Sequence, residues 1–153
     1  MTTALDGIIR RAVDADSRRV HEIRHSAISR LAPTAMPEQM AQQWAGARSV
    51  EWAEQIIRAR DVWVFQCEAG IAGWVSFTGS DIDGLYTDPA VAQRGVGSRL
   101  LTFAEAQIAG AGAAEAHLEA SWNSEDFYVK RGWTPEGPRP VDGARPMTKR
   151  LGR

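Results

Sequence analysis

One cysteine, Cys67, is all the chain contains, so no internal disulfide can form and nothing marks an oxidising compartment. No apolar run approaches the ~20 residues of a membrane span. The opening residues, MTTALDGIIRRAVDADSRR, hold no apolar stretch of signal-peptide length, so the expectation is a cytoplasmic protein with no membrane partner. A basic excess is missing too: 18 Lys and Arg against 19 Asp and Glu leave a net charge of -1. Binding nucleic acid by phosphate neutralisation needs that excess to release counterions, so no nucleic-acid partner is expected. The glycine pair Gly95-Val96-Gly97 lacks the Gly-Lys-Ser/Thr of a Walker A loop and the third glycine of a dinucleotide fingerprint.

What remains is an ordinary globular composition, 44% hydrophobic and 24% charged over 153 residues. That length suits one domain with a single core, spanning 1–153. Six tryptophans are many for such a chain, and their first use is core and pocket wall, because large aromatics carry much of the burial.

Residue spacing predicts the elements. Ile8–Val13 alternates as an edge strand. Asp14 is placed to cap a helix whose apolar face runs Val20, Ile23, Ala27, Ile28, Leu31, and Pro33 ends it. A second helical region opens at Pro37 or Glu38, with Met40, Trp44, Trp52, Ile56 and Ile57 inward and Gly46 as an interruption. Val62–Glu68 and Ile71–Thr78 read as a hairpin, and Gly79-Ser80 turns into a further strand. From Gly97 to about Ala109 the apolar spacing Leu100, Leu101, Ala104, Ile108 is helical, and Gly110 and Gly112 stop it. Ala114–Ala120 is a strand returned parallel to the preceding one. Asn123 is placed to cap a short helix, EDFYVKRG, and Met147–Leu151 closes the chain as a strand. The class is mixed α/β with a largely antiparallel central sheet.

Two motifs carry chemistry. HEIRH at His21–His25 matches the two-histidine zinc pattern. No third histidine follows at ligand spacing, though, and the pair lies beside the core stripe of its helix, so no metal is expected. Cys67, in a hairpin strand, is expected in the core. The stretch Asp81–Leu101, DIDGLYTDPAVAQRGVGSRLL, is a strand, a proline stop and a glycine-spaced turn into a helix. Such a turn aims backbone N–H groups at a ligand, and the helix dipole adds about half a positive charge there. Alone, it is either a phosphate loop or a tight turn.

Three segments in order resemble the GNAT N-acetyltransferase superfamily: LYTDPAVAQRGVGSRLL at Leu85–Leu101, LEAS at Leu118–Ser121, and NSEDFYVKRGW at Asn123–Trp133. The succession of elements is similar as well. The resemblance implies a GNAT-like mixed α/β (α+β) sheet with a parallel, splayed strand pair around an acetyl-CoA cleft. It implies an acetyl-CoA-dependent N-acetyltransferase with a small-molecule or amino-acid-like amine acceptor, working as a monomer or homodimer by direct attack in a ternary complex. The other reading is a catalytically silent fold that binds CoA or a partner protein.

Carried over by position, the pantetheine arm would lie along the backbone of Leu85, Tyr86 and Thr87. The pyrophosphate would lie on Gln93, Arg94, Gly95, Val96, Gly97 and Ser98, with Asn123 and Tyr128 beside the arm. Ala92 departs from the family loop, which usually has Arg or Gln in that slot, and Arg94 is the available replacement. In this fold the acceptor wall falls on the first helices, where Ile28, Met36, Met40, Trp44 and Trp52 stand.

Amine acetylation needs a neutral amine, and deprotonating a lysine-like group of pKa near 10.4 costs roughly 4–5 kcal/mol at neutral pH. Glu119 or Asp83 is the candidate base. The leaving thiolate, from a thiol of pKa near 8.5, gains from a donor, and Tyr128 is the candidate acid.

Overall fold

The computed structural model describes residues 3–31, 37–121, 123–138 and 144–152. Its centre is a seven-stranded sheet in the order β1-β2-β3-β4-β5-β7-β6. The strands are β1 (Ile8–Arg11), β2 (Asp61–Cys67), β3 (Gly70–Thr78), β4 (Asp81–Thr87), β5 (Glu115–Ala120), β6 (Thr134–Pro135) and β7 (Arg145–Arg150). Every neighbouring pair is antiparallel except β4 and β5, which run parallel. The helices are α1 (Ser17–Leu31), α2 (Glu38–Ala45), α3 (Val50–Ala59), α4 (Val96–Gly110) and α5 (Glu125–Val129).

Alternation along the strands sends side chains to two faces with separate cores. On one face α4 lays Leu100, Leu101, Ala104 and Ile108 against Val75, Phe77, Ile82, Leu118 and Met147. On the other, Val20 and Ile23 of α1 and Ala53 and Ile56 of α3 meet Val62, Val64 and Trp74. Trp74 is fully buried there, and its indole N–H donates to the Val20 carbonyl at 2.9 Å. Burying side chains of this size contributes roughly 1.5–3 kcal/mol each, so the two cores clamp the sheet from both sides.

Local details differ from the sequence reading in three places. Asp14 is not a helix cap: a short 3-10 turn, Asp14–Asp16, precedes α1. Asp14 instead pairs with Arg58, and the buried Asp16 carboxylate accepts the Val13 N–H at 2.8 Å. Asn123 does not cap α5 either, since Ser124 holds that position. Met40 lies exposed at 53% rather than inward, because α2 turns Ala41 and Ala45 to the core instead. Pro33 and Met36, and the side chain of Leu31, lie outside the described residues.

Candidate active-site cleft

The parallel pair is what opens the site. β4 and β5 are in register only at Asp81 with His117 and Ile82 with Leu118. Beyond Ile82, β4 stays paired with β3 as far as Thr87, and β5 stays paired with β7 as far as Ala120. The two strands therefore part, and among the described residues β4 from Asp83 onward has no strand partner on its β5 side. Asp83 is also the extra residue of a bulge, since Ser76 pairs Gly84 while Phe77 pairs Ile82. A bulge bends a strand and increases its twist, which suits a strand that must leave its neighbour.

Between the strands lies a cleft of about 300 Å³. Its walls bring together most of the site residues expected from the sequence: Asp83, Leu85, Tyr86 and Thr87 from β4, Glu119 from β5, Gly97 and Tyr128 from the helices, and Asn123 from the turn before α5. Ile28 and Trp44 close the α1–α2 side. Leu85 also packs against the α4 core. Met40 and Trp52 are not on this wall; Trp52 packs on Trp74, ring centroids 6.3 Å apart, beneath Arg24 and Arg48.

The glycine-spaced turn is built without side-chain help at the helix start. Asp88 caps the short turn Pro89–Val91 by accepting the Ala90 N–H at 3.0 Å. Burial pushes the Asp88 carboxyl up, but that N–H and Arg19, 2.6 Å away, overcome it and hold the group below its usual range. Gln93 then takes φ 65 and Gly95 φ 86, two left-handed residues that swing the chain into α4. A non-glycine in that region is uncommon and marks a constrained loop. Gly95 occupies the N-cap and no side chain caps the helix, which leaves the first-turn amides without an intrahelical partner. A Cβ on Gly97 would stand 3.4 Å from Phe127 and from Thr87 Oγ1. Val96 is buried, Gln93 is exposed, and Arg94 donates through Nε to the Thr3 carbonyl at 3.0 Å.

Tyr128 is buried against Phe127 and Trp133. Burial, and then the neighbouring Tyr86, push its phenol well above the ordinary range, so it keeps its proton at neutral pH. The two carboxylates differ. Asp83 accepts from Thr78 Oγ1 at 2.8 Å and stands 4.0 Å from Arg60. Glu119 is exposed and makes no hydrogen bond or ion pair among the described residues. With Ala116, Leu118 and Ala120 buried toward α4, alternation turns Glu119 to the opposite face, the side where α1 packs.

Two groups escaped the sequence reading. The Tyr86 side chain packs 5.1 Å from Trp74 and among α1 and α2, on the side of the cleft that Ile28 and Trp44 close. Arg24 is buried on α1 and donates to the carbonyls of Ala45 and Trp44 at 3.2 and 3.3 Å. Burial raises the Tyr86 phenol above its usual value, partly opposed by Arg24. Arg24 was legible in one respect: it falls on the stripe of Val20, Ala27 and Ile28, where a lone arginine must find buried acceptors. The histidines of HEIRH face the end of α2 and the connection that follows it. His21 Nε2 donates to Arg48 O at 3.0 Å and His25 Nδ1 to Ala45 O at 3.3 Å, so these nitrogens are not turned to a metal. Among the described residues no group of three His, Cys, Asp or Glu side chains is placed to hold one.

Fold and cleft together are those of an acyl-group transferase built around a split parallel strand pair. The family model for the acetyltransferase (GNAT) domain matches residues 31–149, and the chain belongs to that family. Among solved structures, a GCN5-related N-acetyltransferase from Rhodopseudomonas palustris, described as an aminotransferase, class-II, superimposes with TM-score 0.90 at 23% identity, covering 99% of both chains. PaiA N-acetyltransferase from Thermoplasma acidophilum, solved with coenzyme A, gives 0.83 at 19% identity over 96% of this chain and 100% of that one. N-acetylglutamate synthase from Neisseria gonorrhoeae, solved with coenzyme A and N-acetylglutamate, gives 0.71 at 17% identity, covering 99% of this chain but 36% of its own. No curated protein sequence matches the chain.

Proposed function

We propose that the protein transfers the acetyl group of acetyl-CoA to a primary amine of a small-molecule or amino-acid-like acceptor, by direct attack in a ternary complex. One observation carries this reading: the β4 edge that faces away from β3 leads, through the turn of residues 88–95, to the uncapped start of α4, with Tyr128 lining the same cleft. Amide groups of a pantetheine arm can pair with that edge as an added strand does. The diphosphate then lies at the amides of Gly95 to Ser98, where the dipole favours negative charge.

In the reaction the amine nitrogen attacks the thioester carbonyl, the C–S bond breaks and the thiolate leaves. Tyr128, kept protonated by burial, gives its hydrogen bond or proton to that sulfur. The proton lost by the amine goes to Glu119, directly or through water. Glu119 is preferred over Asp83 because Asp83 already serves Thr78 and Arg60. Ile28 and Trp44 give the acceptor side an apolar wall, which fits a small, partly apolar amine better than a polycation. A protein N-terminus as acceptor is the competing substrate class.

The test is release of free thiol from acetyl-CoA in the presence of a panel of amines. Amine-dependent release is expected, strongest for small apolar or amino-acid-like acceptors. Tight CoA binding without release for any amine would point instead to a silent binding domain.

A further inference from the structure

We propose that Arg131 binds the diphosphate of the co-substrate, acting with Ser98 at the first turn of α4; this rests on the acetyl-CoA reading above. The guanidinium is fixed on three sides. Its Nε donates to Ser98 Oγ at 2.6 Å and its Nη1 to the Phe127 carbonyl at 2.8 Å. It stacks on the Phe127 ring, 3.8 Å from the centroid, and that ring stands 3.4 Å from where a Gly97 Cβ would be. The Phe127 ring therefore borders both the cation and the glycine turn.

Its electrostatic setting is unbalanced. The part-buried Arg10, Arg19 and Arg145 each face a carboxylate, Asp16, Asp88 and Glu125. Arg24 has none, but it sits at the carboxyl end of α2, where carbonyls suit a cation. Arg131 makes no ion pair among the described residues, and it lies at the amino end of α4, the positive end of a fifteen-residue helix. A cation there is repelled by the dipole unless an anion sits between them. A diphosphate supplies that anion and turns two unfavourable contacts into favourable ones. Ser98 is set for the same ligand. Because its oxygen accepts from Arg131, its own O–H is left to donate. Within the loop, Arg94 is the only cation from Ala92 to Ser98, and its Nε is already given to Thr3.

The measurement is equilibrium binding of CoA, 3′-dephospho-CoA and pantetheine to wild type, Arg131→Gln and Arg131→Lys. Arg131→Gln is expected to weaken CoA and 3′-dephospho-CoA alike by about tenfold or more and to leave pantetheine unchanged. Arg131→Lys, which keeps the charge, should recover part of the loss, and it serves alone if the Gln variant does not fold. Unchanged CoA affinity, or equal weakening of pantetheine, would overturn the proposal, the second because Arg131 would then only hold α5 in place. A loss confined to CoA and absent for 3′-dephospho-CoA would also overturn it, since the contact would be to the 3′-phosphate. Wild type that binds none of the three ligands would sink the acetyl-CoA reading itself, a separate result from any of these.

Discussion

In the proposed reaction, Tyr128 and Glu119 divide the chemistry by their surroundings. Tyr128 lies in the apolar wedge between Phe127 and Trp133, where an ionised phenolate would be unsolvated. It is a donor and not a base at neutral pH. Tyr128→Phe should lower kcat about 10²-fold with little change in CoA affinity; single-turnover acetyl transfer with parallel CoA titration measures both. An unchanged kcat removes the hydroxyl from the reaction. Glu119, without a hydrogen bond or ion pair among the described residues, should be the more sensitive carboxylate. Steady-state rates of Glu119→Gln should fall about 10²-fold or more, against less than about tenfold for Asp83→Asn. The reverse order would transfer the base role to Asp83.

The element that matters most is the turn from β4 into α4. Gly95 needs φ 86, a region a β-branched residue occupies only at a cost of roughly 1–2 kcal/mol, and its change also shifts the first-turn amides. Gly95→Val should weaken CoA binding at least tenfold, while thermal unfolding shows a folded protein. Near-normal CoA affinity would mean that the turn binds nothing. At this scale the sequence was most readable where a pattern is local. The α4 stripe of Leu100, Leu101, Ala104 and Ile108 is buried as its spacing implied, and the parallel return of Glu115–Ala120 follows from the helix between the strands. Less readable was anything set by distant pairing. That β4 leaves β5 after Ile82 depends on β3 and β7 holding their own partners longer, which no local spacing reveals. Capping was ambiguous for a similar reason: Asp14, Asp16, Asn123 and Ser124 all have suitable side chains, and tertiary partners such as Arg58 and Arg10 decide which of them is used.

Across the whole molecule, the N-terminal strand is tied to the turn that leads into α1 by the pair of Arg10 and Asp16, whose carboxylate accepts two guanidinium hydrogen bonds and the Val13 N–H. The Arg10 hydrogen bond chiefly holds the Asp16 carboxyl below the usual carboxylate range, against the opposing effect of burial. Its stabilisation is therefore present above the unfolded value of about 3.9 and is lost as pH falls through the lower folded value. Asp16→Asn should cost about 1–3 kcal/mol at pH 7, and the difference from wild type should shrink near pH 3. Denaturant unfolding at both pH values tests this, and an equal difference at both would rule the ion pair out as its source. The family and the site also show how far composition reached. A single cysteine and balanced charge set expectations about disulfides and nucleic acid, but packing decides which of the large side chains on α2 line the cleft. Trp44 does and Met40 does not.

Where the co-substrate lies is the most direct test of the proposed function, and a crystal structure with coenzyme A bound measures that. It should place the pantetheine amides on the backbone of β4 between Gly84 and Thr87, the diphosphate at Gly95 to Ser98, and the sulfur within hydrogen-bond reach of the Tyr128 hydroxyl. Coenzyme A bound elsewhere, with the β4 edge still unpartnered, would contradict it.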